Sequence, residues 1–322
     1  MRYFNSESFK MRTKKIVAAL LICFWACHSV FAQLPDITKE DLVQKIRSEE
    51  NKISAYNIKY KLSGSFEPDE KDKEKLVPKV VIEFEYANNI SKGHMYLHEK
   101  WLSMADKQEL ERKYAYDGRT GTRLTLKQPG DPNRMYGYIT STIPDAFNDE
   151  ALWKPILSTY EYIGTNDSLS VAIEKDVNAK VVPDEFNGEQ VYKVTFSVAQ
   201  PDMEIINPQT GEKHIIKPRG NYAALLSPEK SFRPVKIAEF DAFHSEVGVC
   251  LASDFREIMP GIWLPWKFER FSREEQNPHY VINVDSITLN ENANVISSIK
   301  FPENTRVRDE RTGMRYLSTG DD

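Results

Sequence analysis

The chain has 322 residues, 40% of them hydrophobic, with 43 Lys or Arg against 48 Asp or Glu and a formal net charge of −5. Basic residues are interleaved with acidic ones, as in Glu70 to Lys75 and Glu109 to Lys113, which excludes the clustered cationic surface a nucleic acid requires. A chain this long can bury a large core and needs no covalent staple to fold.

The amino terminus has the pattern of an export signal: Arg12-Thr13-Lys14-Lys15, an apolar run from Ile16 to Val30, and the small residue Ala32. The run falls short of the roughly 20 residues that span a bilayer, so residues 1–32 are expected to be cleaved, and no later segment is apolar enough to span. Cys23 and Cys27 lie within the run, but Ile22 and Phe24 are poor flanks for lipid attachment. Met11 offers a second start for a more conventional signal. Loss of residues 1–32 removes five basic and one acidic residue, leaving a net charge of −9 and a single cysteine, Cys250. No intramolecular disulfide can then form, although the expected compartment, periplasmic or extracellular, would permit one. Cys250, between Val249 and Leu251, reads as a small buried apolar residue.

The mature chain opens with Thr38 three residues before Asp41, a capping pattern. Leu42, Val43, Ile46 and Ile53 then recur at helical spacing opposite Lys45, Arg47, Glu49 and Glu50, which predicts an amphipathic helix. The period then changes to two. Tyr56, Ile58, Tyr60, Leu62 and Phe66 share one parity and Asn57, Lys59, Lys61, Ser63 and Ser65 the other, the pattern of a half-buried strand. After a charged loop, Val80, Ile82, Phe84 and Tyr86 alternate with Lys79, Glu83 and Glu85 in a second strand expected to pair with the first. Short strands follow around Met95 and Leu97, Tyr114 to Tyr116, and Leu124 and Leu126, with Asp117-Gly118 and Pro129-Gly130 as turns.

A second helical patch is expected around Asp149 to Tyr160. Strand character resumes at Val171 and Ile173, then Val181-Val182, and a turn at Asn187-Gly188 feeds Tyr192, Val194, Phe196 and Val198 on one parity. Gln200 to Gly220 reads as an inserted loop or exposed hairpin. Strands are expected over 222–226, 235–240, 249–258, 263–271 and 280–289, with turns at Pro228 to Pro234 and Met259-Pro260-Gly261. No linker-like stretch interrupts the pattern, so residues 33–317 are expected to form one domain, with 318–322 a flexible tail.

No catalytic constellation emerges. His94-x-x-x-His98 has zinc-like spacing only on a helix; on a strand four residues span roughly 13 Å, too far for one ion. There is no Gly-x-Ser-x-Gly and no phosphate-cradling glycine loop. Carboxylates such as Glu83 and Glu85 lie on the wet parity of a strand, where solvation is their ordinary role. The chain is therefore expected to be no enzyme and to carry no metal or cofactor.

Four passages resemble the periplasmic carriers that sort outer-membrane lipoproteins, the LolA-like group, and the related amino-terminal domain of an envelope-stress regulator. These are Asn51-Lys52-Ile53-Ser54-Ala55-Tyr56 after the leading helix, the Tyr116-Asp117-Gly118 turn, Leu226-Ser227-Pro228 to Arg233-Pro234-Val235, and Gly261-Ile262-Trp263-Leu264-Pro265. The closing Phe301-Pro302-Glu303-Asn304-Thr305 to Thr312-Gly313-Met314-Arg315-Tyr316 is similar too. The resemblance implies an incomplete barrel with helices at its mouth and acyl chains bound in its hollow.

The expectation is a mainly β fold of the α+β class, because a sheet of ten or more strands must curl or split into layers. One large curved antiparallel sheet would form an incomplete β-barrel, with the amphipathic helix and a short second helix in its concave face. A helix or two cannot fill such a hollow, so part of the apolar parity is expected to line a pocket for a lipid or lipoprotein acyl chain. The candidates are Tyr56, Ile58, Tyr60, Leu62, Ile82, Phe84, Tyr86, Tyr192, Val194 and Phe196. The alternative is an envelope sensor or scaffold that meets another envelope protein through the rim loops Asp69 to Lys75 and Gln200 to Gly220.

Overall fold

In the computed structural model the described residues are 34–320, apart from 69–70, 72, 74, 105–106, 129, 131–133, 148–167, 200–202, 207–212, 217–218, 242 and 273–276. Helix α1 (Lys39–Glu50) begins where the capping pattern places it: Thr38 Oγ1 accepts from the Asp41 amide at 3.1 Å and donates to its carboxylate at 2.8 Å. Acidic Glu40 and Asp41 in its first turn and Arg47 in its last complement the helix dipole. Its apolar stripe, Leu42, Val43 and Ile46, is buried.

A meander follows through β1 (Ala55–Pro68), β2 (Leu76–Asn89), β3 (His94–Ser103), β4 (Glu109–Tyr116), β5 (Gly121–Lys127) and β6 (Tyr136–Thr140). Next come a single 3-10 turn at Asp145–Phe147, helix α2 (Leu169–Lys175), β7 (Lys180–Phe186) and β8 (Glu189–Ala199). The remaining strands are β9 (Met203–Ile206), β10 (Lys213–Ile216), β11 (Arg219–Ser227), β12 (Arg233–Phe240), β13 (Glu246–Met259), β14 (Ile262–Ser272), β15 (Tyr280–Leu289), β16 (Arg306–Asp309) and β17 (Met314–Leu317). Fifteen of them form one sheet in the order β17-β16-β6-β5-β4-β3-β2-β1-β15-β14-β13-β12-β11-β8-β7, and β9 and β10 form a separate hairpin. The large sheet is curved and stays open between β17 and β7. All its pairings are antiparallel except β16 with β6. These elements belong to one compact unit, Asp36–Asp322.

Most turns obey the expected chemistry. Asn187 and Gly188 both take positive φ, 53° and 81°, joining Phe186 to Glu189 by a two-residue turn. Asp117 Oδ1 accepts from the amides of Arg119 and Thr120, and the Gln200 to Gly220 insertion contains the β9–β10 hairpin.

One assignment is corrected. Val171 and Ile173 lie on helix α2, not on a strand: Ser168 Oγ caps it by accepting from the Val171 amide at 3.3 Å, and Leu169, Ala172 and Ile173 turn inward at helical spacing. An apolar pair two residues apart fits either period, and the cap upstream decides. The helical patch expected at Asp149 to Tyr160 lies outside the described residues, as does the export signal. The segment expected to be a flexible tail starts with a buried residue, for Ser318 donates from Oγ to Phe301 O and from its amide to Thr305 O.

The cross-strand register carries one sheet face from end to end. Val194 stands beside Ala224, Ile237 and Cys250, and further along Phe268 stands beside Ile282, Leu62, Ile82 and Trp101. This inner face bears the helices through α2, which packs on β8 and on α1. The outer face is wet over β1 and β2, where Lys59 pairs with Glu85 and Lys61 with Glu83. Over part of β2 to β6 it is covered instead, because a strap of chain, residues 293–301, lies across it. Val295 and Ile299 cover Ala87, Tyr96 and Ala115, and Phe301 packs with Leu124 and Val307.

Gly137 is what lets the strap lie flat, since a Cβ there would fall 2.8 Å from Phe301 Cε1. Gly137→Ala should therefore destabilise the fold by about 1–3 kcal/mol through overpacking. A urea titration should show a lower midpoint at unchanged slope, and Phe301→Leu in the same chain should cost less than in the wild type. A neutral Gly137→Ala would mean that Phe301 does not seat there.

Candidate functional site

The ten residues expected to line a hollow all lie on the inner face, and most of them are core. Ile58 and Tyr86 have no exposed surface, and Tyr56, Tyr60, Leu62, Phe84, Tyr192, Val194 and Phe196 are buried as well, with Ile82 half-buried. Their rings pack on one another and on residues nearby. Tyr60 stacks on Phe84 with centroids 5.0 Å apart, Tyr56 meets Tyr86 at 5.5 Å, Tyr192 stacks on Phe232 and Phe196 meets Tyr222. At the β8 end, helix α2 covers the sheet, tied to α1 by the Arg47–Glu174 ion pair at 2.7 Å and by Ser170 donating to Glu50.

Open space on this face lies instead over β3 to β6, in a cleft of about 440 Å³. Of the ten candidates, Phe84 alone lines it. Leu97 and Tyr114 extend the floor from Phe84, Tyr138 closes the β6 end, and Ile143, Pro144 and Ala146 form a wall. The wall stands where it does because of Gly121, for a Cβ there would meet the Thr142 carbonyl oxygen at 2.5 Å and Pro144 Cδ at 2.8 Å. With no side chain in the way, residues 142–144 fold back on β5. Phe147 then drops onto the inner face between Tyr86 and Tyr114, at centroid distances of 6.4 and 6.3 Å, and is buried. It marks the border between packed core and open cleft.

The cleft floor is also charged. Glu99 and Arg112 face each other across β3 and β4, with Arg112 Nη1 3.5 Å from Glu99 Oε1, and the Tyr114 hydroxyl donates to the same oxygen at 3.3 Å. Arg123, next in line on β5, places its guanidinium 3.9 Å from the centre of the Tyr138 ring. Burial pushes the Tyr114 hydroxyl up to about 12, the Glu99 charge adds to this, and Arg112 and Arg123 oppose it. Tyr114 therefore stays a neutral donor throughout the physiological range.

The sequence reading did not single out these charged residues, nor Phe147 and Gly121. A signal existed for Glu99 and Arg112. Glu99 shares the parity of Met95 and Leu97, and Arg112 that of Tyr114, so each is a charge on the apolar side of its strand. Outside the cleft, His98 and His94 lie on β3, and His98 Nε2 is 3.0 Å from Glu111 Oε1 on the outer face. Among the described residues no group of three or more His, Cys, Asp or Glu converges as metal ligands do.

No family model matches the sequence, and no curated protein matches it. Among solved structures the chain is similar to a domain assigned to outer membrane lipoprotein sorting from Vibrio parahaemolyticus, at 8% identity and a TM-score of 0.42, covering 80% of this chain and 95% of that one. It is also similar to a DUF1329 family protein from Desulfovibrio piger ATCC 29098, at 11% identity and a TM-score of 0.44 over 80% and 93% of the two chains. A LolA superfamily protein from Nitrosomonas europaea is similar at 10% identity and a TM-score of 0.38, over 80% and 95%.

Alkaline titration tests the electrostatics of the cleft. Tyr114 should ionise near 12, as should Tyr96, whose hydroxyl is raised to about 12 by burial and by Glu85 and Glu111 on the outer face. Glu99→Gln should lower the Tyr114 midpoint and leave that of Tyr96 unmoved, read by NMR of ring-labelled tyrosine. Because an unfolded tyrosine ionises near 10, the stability linked to each group is complete below about pH 10 and is lost as pH climbs from there to about 12. A Tyr114 midpoint indifferent to Glu99→Gln would show that the two groups do not interact.

Proposed function

We propose that the mature chain is an exported, non-catalytic carrier that holds the acyl chain of a lipid or lipoprotein in the inner-face cleft. One observation carries the reading: a curved sheet leaves an open space of about 440 Å³ floored by Phe84, Leu97 and Tyr114 and walled by Ile143 and Pro144. Its size falls in the range of about 300–1,000 Å³ usual for small-molecule sites, and its lining sets Phe84, Leu97, Ile143 and Pro144 beside Glu99, Arg112, Arg123, Thr140, Thr142 and Glu310, a mixture that suits an amphiphile. Burying an alkyl chain there contributes about 0.8 kcal/mol per methylene, so a moderate length of chain suffices for tight binding. The apolar signal with Ala32 at its end supports export to the periplasm or beyond. No helix among the described residues is long and apolar enough to cross a membrane.

A second reading, an envelope sensor or scaffold, is favoured by the β9–β10 hairpin, which forms a sheet of its own apart from the large one. Deleting residues 200–220 separates the two readings. Acyl binding should survive the deletion if the cleft is the working site, whereas a scaffold would lose its protein partner.

Native mass spectrometry of the purified chain, with lipid extraction, tests the carrier reading directly. An acyl species should co-purify or bind on addition, and Ala146→Trp, which puts an indole into the cleft from its wall, should lower occupancy by tenfold or more in a chain that still folds. A folded wild type that binds no acyl species, or an Ala146→Trp chain that binds as well as wild type, would overturn it.

A further inference from the structure

The charges around the cleft do not cancel one another locally. Glu310, at the rim, is matched by Arg308, whose Nε lies 3.5 Å from its Oε1. Glu99 is matched by Arg112 and takes the Tyr114 hydroxyl as well. Arg123 is left over: among the described residues no carboxylate lies within ion-pair distance of it, and its contact is the face of Tyr138. Its Nε is buried and has no hydrogen-bond acceptor among the described residues. Buried polar groups are nearly always bonded, so this unmet N–H marks the Arg123 guanidinium, whose side chain lines the cleft, as a donor group the protein itself leaves unanswered.

We propose that Arg123 anchors the single negative charge of an amphiphile, an oxyanion head whose acyl chain runs along Phe84, Leu97 and Ile143. The inference rests on the carrier reading and deepens it, by naming an anionic lipid as the ligand class. A planar guanidinium offers two parallel N–H donors, a match for a carboxylate or for the two free oxygens of a phosphodiester. Stacking on Tyr138 holds its plane fixed, and Arg112 at the next strand raises the local positive potential. Removal of water by a bound chain would strengthen the contact, because charges attract more strongly away from bulk solvent. A second negative charge on the ligand would meet Glu99, which favours a singly charged head.

Competition read by native mass spectrometry tests this with defined lipids. Oleate against methyl oleate, and dioleoylphosphatidylglycerol against dioleoylglycerol, each present a charged and a neutral form of the same chain. Wild type should prefer at least one charged form by about tenfold or more, and whichever pair shows it identifies carboxylate or phosphodiester as the head. Arg123→Gln should bring that ratio close to one, and Arg123→Lys should restore part of it. Equal occupancy by both members of both pairs in wild type overturns the inference and leaves the carrier reading standing. So does a preference that persists in Arg123→Gln. If wild type binds none of the four lipids, both fall together.

Discussion

The pairing of β1 with β15 is the constraint on which the rest of the molecule depends. It joins the first strand to one more than 200 residues away, Tyr56 opposite Leu289 and Gly64 opposite Tyr280, and so fuses two meanders into a single sheet. β2 to β6 extend from one side of this seam and β14 to β11 from the other. A shift of one residue at the seam would exchange the faces of one meander relative to the other. Ile58, Tyr60 and Leu62 against Ile287, Val284 and Ile282 resist that shift, because each registered pair is apolar and buried. A contact so distant in sequence closes late and at high entropic cost, and the 14-residue strands β1 and β2 lie at and beside it.

From the seam outward the two faces meet different fates, and the chain after β15 decides which. Residues 293–301 cross the outer face, cover part of the far meander, and then deliver β16 to β6 in the one parallel pairing of the sheet. With its outer face partly covered and β6 paired to β16, that meander is braced on its back and along its side while its inner face holds the open cleft. At the opposite end the arrangement is reversed. There α2 packs on the inner face at β8 and α1 packs on α2. Packing on one side of each half frees the other side.

How much of this was legible in the sequence follows from the reach of each signal. Such signals are local: two-residue alternation identified the strands flanking the seam, helical spacing after the Thr38 cap identified the first helix, and Asn187-Gly188 marked its own turn. It also placed the ten apolar candidates on one face. Alternation says nothing about what covers a face, however, and nine of those ten are outside the cleft because helices, Phe147 or neighbouring rings lie on them. The strap was illegible for a different reason. Residues 293–301 do alternate with period two, Val295, Ile299 and Phe301 turned toward the sheet and Asn294, Ile296 and Lys300 outward, but alternation marks an extended segment without saying that it lies across a sheet and not within one. The short β6 was missed because Gly137 breaks its pattern, and Gly137 is there for the strap.

Glu99, Arg112 and Arg123 stand out because they are charges on a sheet face that is otherwise largely apolar. Charges on the inner parity of a sheet lose hydration, and apolar residues of similar volume commonly serve a core as well or better than a buried ion pair does. The same face is built in that apolar way from Ile58, Tyr86, Leu62 and Phe268, yet it also carries a second ion pair beyond the seam, Arg270 with Glu239 at 3.2 Å. What sets Arg123 apart from both pairs is that, among the described residues, no carboxylate answers it while it lines the open space. The wall beside it stands where it does because Gly121 lacks a side chain. The recess thus sets Phe84, Leu97 and Ile143 beside a polar floor on which Arg123 is the cation left without a carboxylate among the described residues.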